Sequence, residues 1–239
     1  MSDIYEQISG LWVEKYRPQS VKDLIYNNEN DQLFKTIVET KQVPNLILHG
    51  FEAGTGKTST CKAICEDLGI DYYMINGSNS GKSILSDDGK LDAWMTTESQ
   101  WSTFPYKVVI FDEIDGVSPQ FKKAFKGFIE QYSSGDNDVA RFFCTTNFIE
   151  DMTVHELSRM QVVSFEYPEK DKKEVMIKMI KRLVYICNQE NVEYTKDGLV
   201  ELVKNNMPDM RKCINHGGMN TRLIKVKEWD PLKHLIIPW

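Results

Sequence analysis

Short apolar runs alternate with amphipathic stretches over most of the chain, and helical spacing alone fills the remainder. Pro44-Asn45-Leu46-Ile47-Leu48-His49 reads as a buried strand. Asp71 to Asn76, Lys107 to Phe111, Arg141 to Asn147 and Gln161 to Phe165 read as four more. Between them the period lengthens. Gln32 to Thr40 predicts a helix with Leu33, Phe34 and Ile37 inward. Ser59 to Leu68 predicts one burying Cys61, Ile64, Cys65 and Leu68. A third runs from a Ser118 cap to about Tyr132. From Pro168 only helical spacing persists: Met176, Met179, Ile180, Leu183 and Cys187, then Leu199, Leu202 and Val203, then a helix opening at Asp209. Strands interleaved with helices, followed by helices alone, predict an α/β fold. A parallel-sheet domain over 1–165 precedes a small helical domain over 166–215 and a tail over 216–239.

The connecting segments are read from their breakers. Pro18 restricts Arg17, so Leu11 to Pro18 is expected to be extended or irregular. Gly77 to Lys90 is a loop broken by short helix, Ser133 to Asp138 a turn, and Gly217-Gly218 a helix stop.

Composition narrows the class. The chain has 239 residues, 41% hydrophobic and 27% charged, enough for one large α/β domain with a small companion. No apolar run approaches membrane-spanning length and no signal segment opens the chain, so the expectation is a cytoplasmic protein without a membrane partner. Cys61, Cys65, Cys144, Cys187 and Cys213 form no Cys-x-x-Cys pair, which argues against zinc and suits a reducing compartment. A net charge of −6 excludes an indiscriminate nucleic-acid coat; DNA contact would need a local basic surface.

The chemistry begins after the first strand, at Phe51-Glu52-Ala53-Gly54-Thr55-Gly56-Lys57-Thr58-Ser59. Strand, glycine loop, Gly-Lys-Thr and helix form the setting of a phosphate loop. Its glycines let N–H groups turn around an anion, and the helix N-terminus adds positive potential. Glu52, Ala53, Gly54, Thr55, Gly56, Lys57, Thr58 and Ser59 are therefore the candidate ATP-binding loop, with Lys57 on the β/γ-phosphates and Thr58 on Mg²⁺. The strict pattern has glycine where this chain has Phe51. The third strand ends in Asp112-Glu113-Ile114-Asp115. An acid leaving a buried strand can hold Mg²⁺, the role given to Asp112; its neighbour Glu113 can polarise the attacking water.

Gly-Thr-Gly-Lys-Thr, Asp-Glu-Ile-Asp and Trp12-Val13-Glu14-Lys15-Tyr16-Arg17-Pro18 together resemble the clamp-loader branch of AAA+ ATPases. That branch comprises the replication factor C small subunits and the ATPase (large) subunit of tailed-phage clamp loaders. The phage type is the closer match, since it also lacks the first loop glycine. The resemblance implies an AAA+ P-loop domain with a five-stranded parallel sheet and a helical lid. It implies that Tyr16, Arg17 and Pro18 lie over adenine and ribose and that Asn147 senses the γ-phosphate. It implies that Arg159, in Ser158-Arg159-Met160, enters the neighbouring subunit's site, and that Arg211, after Pro208-Asp209-Met210, touches the phosphates from the lid. On the third helix Lys122, Lys123 and Lys126 would track DNA phosphates, with Lys82 and Lys90 as weaker candidates; a solvated basic face is the other reading. Lys122, Phe125, Lys126 and Gly127 stand where the family has Gln-x-x-Leu-Arg-Arg.

The activity so implied is ATP hydrolysis with Mg²⁺ that opens and loads a sliding clamp at primer–template DNA. The partners are the clamp, the DNA and other loader subunits, of this or another chain, in a host's cytoplasm if the gene is viral. Two other readings stay open: a nucleotide-binding assembly module with little turnover, and a different AAA+ DNA motor such as a branch-migration helicase. Relatives continue into a helical collar, for which the segment after His216 is too short.

Overall fold

The computed structural model describes residues 12–77, 90–99, 102–117, 119–134, 137–152 and 154–219. Lys82, Ser118 and residues 220–239 of the tail lie outside these. The described residues form two compact units: those within 18–172, and 12–17 together with 173–219.

In the first unit a 3₁₀ turn at Val21–Asp23 leads to α1 (Asn28–Thr40), β1 (Leu46–His49), α2 (Lys57–Leu68), β2 (Tyr72–Asn76), α3 (Lys90–Thr96), β3 (Lys107–Asp112) and α4 (Pro119–Tyr132). The two-residue strands β4 (Ser133–Ser134) and β5 (Asn137–Asp138) form a small ladder where a turn was expected; β6 (Ala140–Thr146), α5 (Val154–Leu157) and β7 (Gln161–Ser164) follow. The sheet is five-stranded, in the order β2-β3-β6-β1-β7, and every pairing is parallel.

Successive residues of each central strand enter different cores, because side chains alternate across the pleat. Leu46, Leu48, Val108, Ile110 and Phe143 join one cluster with Phe34, Ile37, Cys61, Ile64 and Cys65 of α1 and α2. Ile47, Val109, Phe111, Phe142 and Cys144 join the other with Phe121, Phe125 and Ile129 of α4. Burial on both faces explains the unbroken apolar runs. Phe111 meets Phe125 edge-on at 4.8 Å, and side chains of this kind contribute about 1.5–3 kcal/mol each on full burial.

Local chemistry sets the ends. α1 starts four positions before the expected Gln32, because the Asn27 side chain caps it by accepting the Asn30 N–H at 2.9 Å. α2 is bounded by Gly56 and Gly69, both left-handed.

The second unit contains α6 (Glu169–Gln189) from residue 173 on, α7 (Lys196–Asn206) and α8 (Met210–Met219). Val175, Met179, Leu183, Ile186, Leu199, Leu202, Val203 and Cys213 are buried. Two expectations are corrected here. Residues 12–15 are helical, not extended; Pro18 constrains only its immediate neighbour, and Trp12 and Tyr16, on one helical face, are buried. The Arg182 guanidinium donates to the Tyr16 carbonyl at 3.1 Å. Gly217-Gly218 does not stop α8. Gly217 is buried, and a Cβ there would sit 3.8 Å from Leu202; tertiary packing outweighs a propensity deficit of about 1 kcal/mol per glycine.

Candidate functional site

Parallel pairing aligns the C-terminal ends of β1, β3 and β6, and the candidate residues emerge there. His49 lies opposite Thr146 and Phe111 opposite Cys144. The loop after β1 therefore runs beside the polar end of β6, and Asp112 runs beside Thr145.

Gly54 and Gly56 have φ of 69° and 99°, values that L-residues with side chains rarely adopt. A Cβ on Gly56 would also approach Leu24 to 3.1 Å. Gly56 offers α2 no side-chain cap, so the first N–H groups of the helix face the loop, as anion binding requires. The Lys57 ammonium donates to the carbonyls of Gly50 (2.7 Å) and Glu52 (3.0 Å). Burial lowers its pKa from the ordinary lysine value, while Asp115, Asp112 and Glu113 pull it back up.

Thr58 Oγ1 donates to Asp112 Oδ1 at 2.6 Å, and Thr145 Oγ1 donates to the same oxygen at 2.7 Å. Thr145 Oγ1 in turn accepts the Glu113 N–H at 2.9 Å. Glu113 is left-handed, with φ 56° and ψ 56°, a conformation costing about 1–3 kcal/mol that structures retain chiefly at functional sites. Its side chain is exposed at the strand end. Gly77 makes room for this turn: its N–H donates to the Asp112 carbonyl at 2.7 Å, and a Cβ would lie 2.4 Å from the Glu113 carbonyl oxygen.

Asn147 is held by a different acid. Its backbone N–H donates to Asp115 Oδ1 at 2.9 Å and its side-chain amide to Oδ2 at 3.2 Å; the Thr146 hydroxyl also donates to Asp115. Sequence reading missed Thr145, Asp115 and Gly77. The available signals were a Thr-Thr pair closing an apolar strand and a glycine directly after one.

The remaining candidates belong to other elements. Arg159 is ion-paired to Glu130 of α4. Lys122, Lys123 and Lys126 are all on α4, with Lys126 half-buried. Pro18 belongs to the sheet unit and Tyr16 and Arg17 to the helical unit, where the Tyr16 hydroxyl donates to Glu190 and Arg17 pairs with Glu14 at 3.4 Å. Arg211 is exposed on α8.

A hydroxyl and a carboxylate oxygen in contact, beside a lysine and a helix N-terminus, suit a hard cation that takes its remaining ligands from phosphate and water. Thr58 and Asp112 thus fit Mg²⁺. Among the described residues no group of three or more His, Cys, Asp or Glu offers an all-protein metal cage, and no helix is long and apolar enough to cross a membrane.

Comparison with known proteins gives matches over both units of the chain. The model of the ATPase family associated with various cellular activities (AAA) matches residues 46–166, half of the chain. The model of the sliding-clamp-loader large subunit AAA+ ATPase lid domain matches residues 171–220. The sliding-clamp-loader large subunit of Escherichia phage RB69 is 34% identical over 205 residues, covering 84% of this chain and 61% of that protein. The replication factor C small subunit of Archaeoglobus fulgidus is 31% identical over 209 residues, covering 86% of this chain and 62% of that protein. The chain thus spans about three fifths of the length of such relatives. Among solved structures, the Thermotoga maritima RuvB Holliday junction branch migration motor superposes with a TM-score of 0.62 at 19% identity, over 84% of this chain and 64% of that one. At that identity the likeness is one of fold.

Proposed function

The chain belongs to the AAA family of ATPases, and from that premise we propose that it is the ATPase subunit of a sliding-clamp loader. In this reading it binds ATP with Mg²⁺ and couples hydrolysis to opening a ring-shaped clamp and leaving it on primer–template DNA. Its partners are the clamp, the DNA and other loader subunits, and it works in the cytoplasm, a host's if the gene is viral.

The observation that carries the ATPase part is the meeting of Thr58 and Asp112 beside Lys57. The clamp-loader part rests on the lid match and on the Glu-Lys-Tyr-Arg-Pro box. Thr58 and Asp112 would hold Mg²⁺, which when bound would supply positive charge against that of the phosphates.

The chain's own groups do the rest. Lys57 and the N–H groups of residues 52–59 balance the phosphate charge. Glu113, aimed by its left-handed backbone, accepts a hydrogen bond from the attacking water and orients it in line. Asn147, set by Asp115, donates its amide towards the γ-phosphate. Arg159 acts in trans, completing a neighbouring subunit's site, and Arg211 reaches the phosphates from the lid. Tyr16, Arg17 and Pro18 cover adenine and ribose with an aromatic ring and a guanidinium plane. Lys122, Lys123 and Lys126, with Lys82, contact DNA phosphates, which requires only positive charge at a fixed distance.

Steady-state hydrolysis by the full chain assembled with its partners tests the reading. Primed DNA and clamp together should raise the rate well above that with either alone. A rate indifferent to both ligands sinks the clamp-loader assignment, and no turnover under any condition sinks the ATPase assignment.

A further inference from the structure

Two phenyl rings stand in contact at the mouth of the phosphate loop, where neither serves the core. Phe51 is 66% exposed and Phe148 40% exposed. Their centroids are 5.7 Å apart and their planes cross at 74°, an edge-to-face arrangement. Phe51 occupies the position where the strict phosphate-loop pattern has glycine. Phe148 directly follows Asn147.

Strand register creates the contact. His49 lies opposite Thr146, and each ring is two residues further along its chain. Gly50 N–H donates to the Thr146 carbonyl at 3.3 Å, so the loops leave side by side. Each ring is also tied to a functional group. The Lys57 ammonium grips the carbonyls on either side of Phe51, those of Gly50 and Glu52. The Phe148 N–H donates to the Thr146 hydroxyl at 3.2 Å. The same hydroxyl donates to Asp115, which holds the Asn147 amide. The ring contact thus spans from the loop that positions Lys57 to the strand end that positions Asn147.

We propose that Phe51 and Phe148 are a positioning pair: their ring contact holds the loop of Lys57 and the end of β6 at one separation, so that Lys57 and Asn147 engage the same γ-phosphate during hydrolysis. The pair touches neither reacting atoms nor Mg²⁺ and acts through those two residues; the inference rests on the ATPase reading above. A contact that matters for alignment affects turnover and leaves ground-state binding nearly unchanged.

The experiment compares wild type, Phe51→Ala, Phe148→Ala, the double variant and Phe51→Tyr as full chains in the assembled state. Each alanine variant should lower kcat roughly two- to tenfold, the range expected for one aromatic pair, with the KM for ATP within about twofold of wild type. The double variant should be no slower than the worse single variant, and Phe51→Tyr should stay near wild type. Because both rings are exposed, melting temperatures should fall by no more than about a few degrees. Hydrogen exchange gives a readout independent of turnover: Phe51→Ala should speed exchange at residues 146–148, and Phe148→Ala at residues 50–56. Additive kcat losses, a KM effect alone, loss confined to subunit dissociation, or exchange that does not cross between the loops overturns the pair. Wild type without turnover counts against the ATPase reading instead, and the exchange arm then decides the pair.

Discussion

The Thr58 hydroxyl donates to the Asp112 carboxylate across 2.6 Å, although 54 positions separate the two residues in the chain. One belongs to the first turn of α2 and the other to the last position of β3. Their meeting brings two local motifs together, and Thr145 locks it by donating to the same carboxylate oxygen.

Thr145→Val keeps the shape of this buried residue and removes both of its hydrogen bonds. The Glu113 N–H loses its acceptor and Asp112 one of its donors. The expected cost is about 1–3 kcal/mol of stability, read as a lower urea midpoint at unchanged m. Half-maximal turnover should also require more Mg²⁺, and Thr145→Ser should restore both. A valine variant indistinguishable from wild type in both measurements would remove Thr145 from the account.

Gly77→Ala places a methyl group where the Glu113 carbonyl already lies, at 2.4 Å. Either β2 or the Glu113 turn must move. Overpacking of this kind costs about 1–3 kcal/mol, and displacement of Glu113 should lower kcat more than it raises the KM for ATP. Thermal melts and steady-state kinetics together check this; full activity with a wild-type melt refutes it.

Lys57→Ala and Arg159→Ala should separate the two sides of the proposed subunit boundary. Loss of Lys57 removes the ammonium at the loop and should weaken ATP binding itself, read by titration with a fluorescent nucleotide. Arg159→Ala should leave binding near normal and cut turnover of the assembly by about 10³-fold or more. Stability should change by less than about 1 kcal/mol, because the Arg159–Glu130 pair is partly solvent-exposed at the surface. Normal turnover of assembled Arg159→Ala would refute the trans role.

Alkaline pH should destabilise the sheet unit in part through Tyr167. Burial pushes its phenol up to about 12 from the ordinary tyrosine value of 10.0. The folded state therefore retains a proton that the unfolded chain releases. This contribution is fully present below about pH 10 and declines as pH rises towards 12. Tyr167→Phe loses a hydrogen bond to the Ile25 carbonyl but should flatten the fall in stability across that window. Urea midpoints from about pH 9 to 12 check the slope, and identical slopes for variant and wild type would contradict it.

The elements nearest the chemistry were legible because their signals are contiguous. A strand, a glycine loop and Gly56-Lys57-Thr58 sit within one short stretch, and Asp112-Glu113 closes an unbroken apolar strand. The supports were not legible. Nothing local distinguishes Thr145 from any other strand threonine; the pairing of β6 with β3 sets it beside Asp112. Asp115 carries no local signal of its role, which comes from the Asn147 amide 32 positions away. Gly217 read as a stop until Leu202 packed near it.

The sequence by itself determined the five strands of the sheet and the main helices, the place of the glycine loop and which acids leave a buried strand, because the alternation of burial and the conformational freedom of glycine are local properties. Only the tertiary structure decided the strand order, the convergence of Thr58, Asp112, Thr145 and Glu113, and the ring contact between Phe51 and Phe148. Each of those depends on register between strands far apart in sequence. Register is chosen by the summed packing of both sheet faces, a quantity that no single stretch of residues carries.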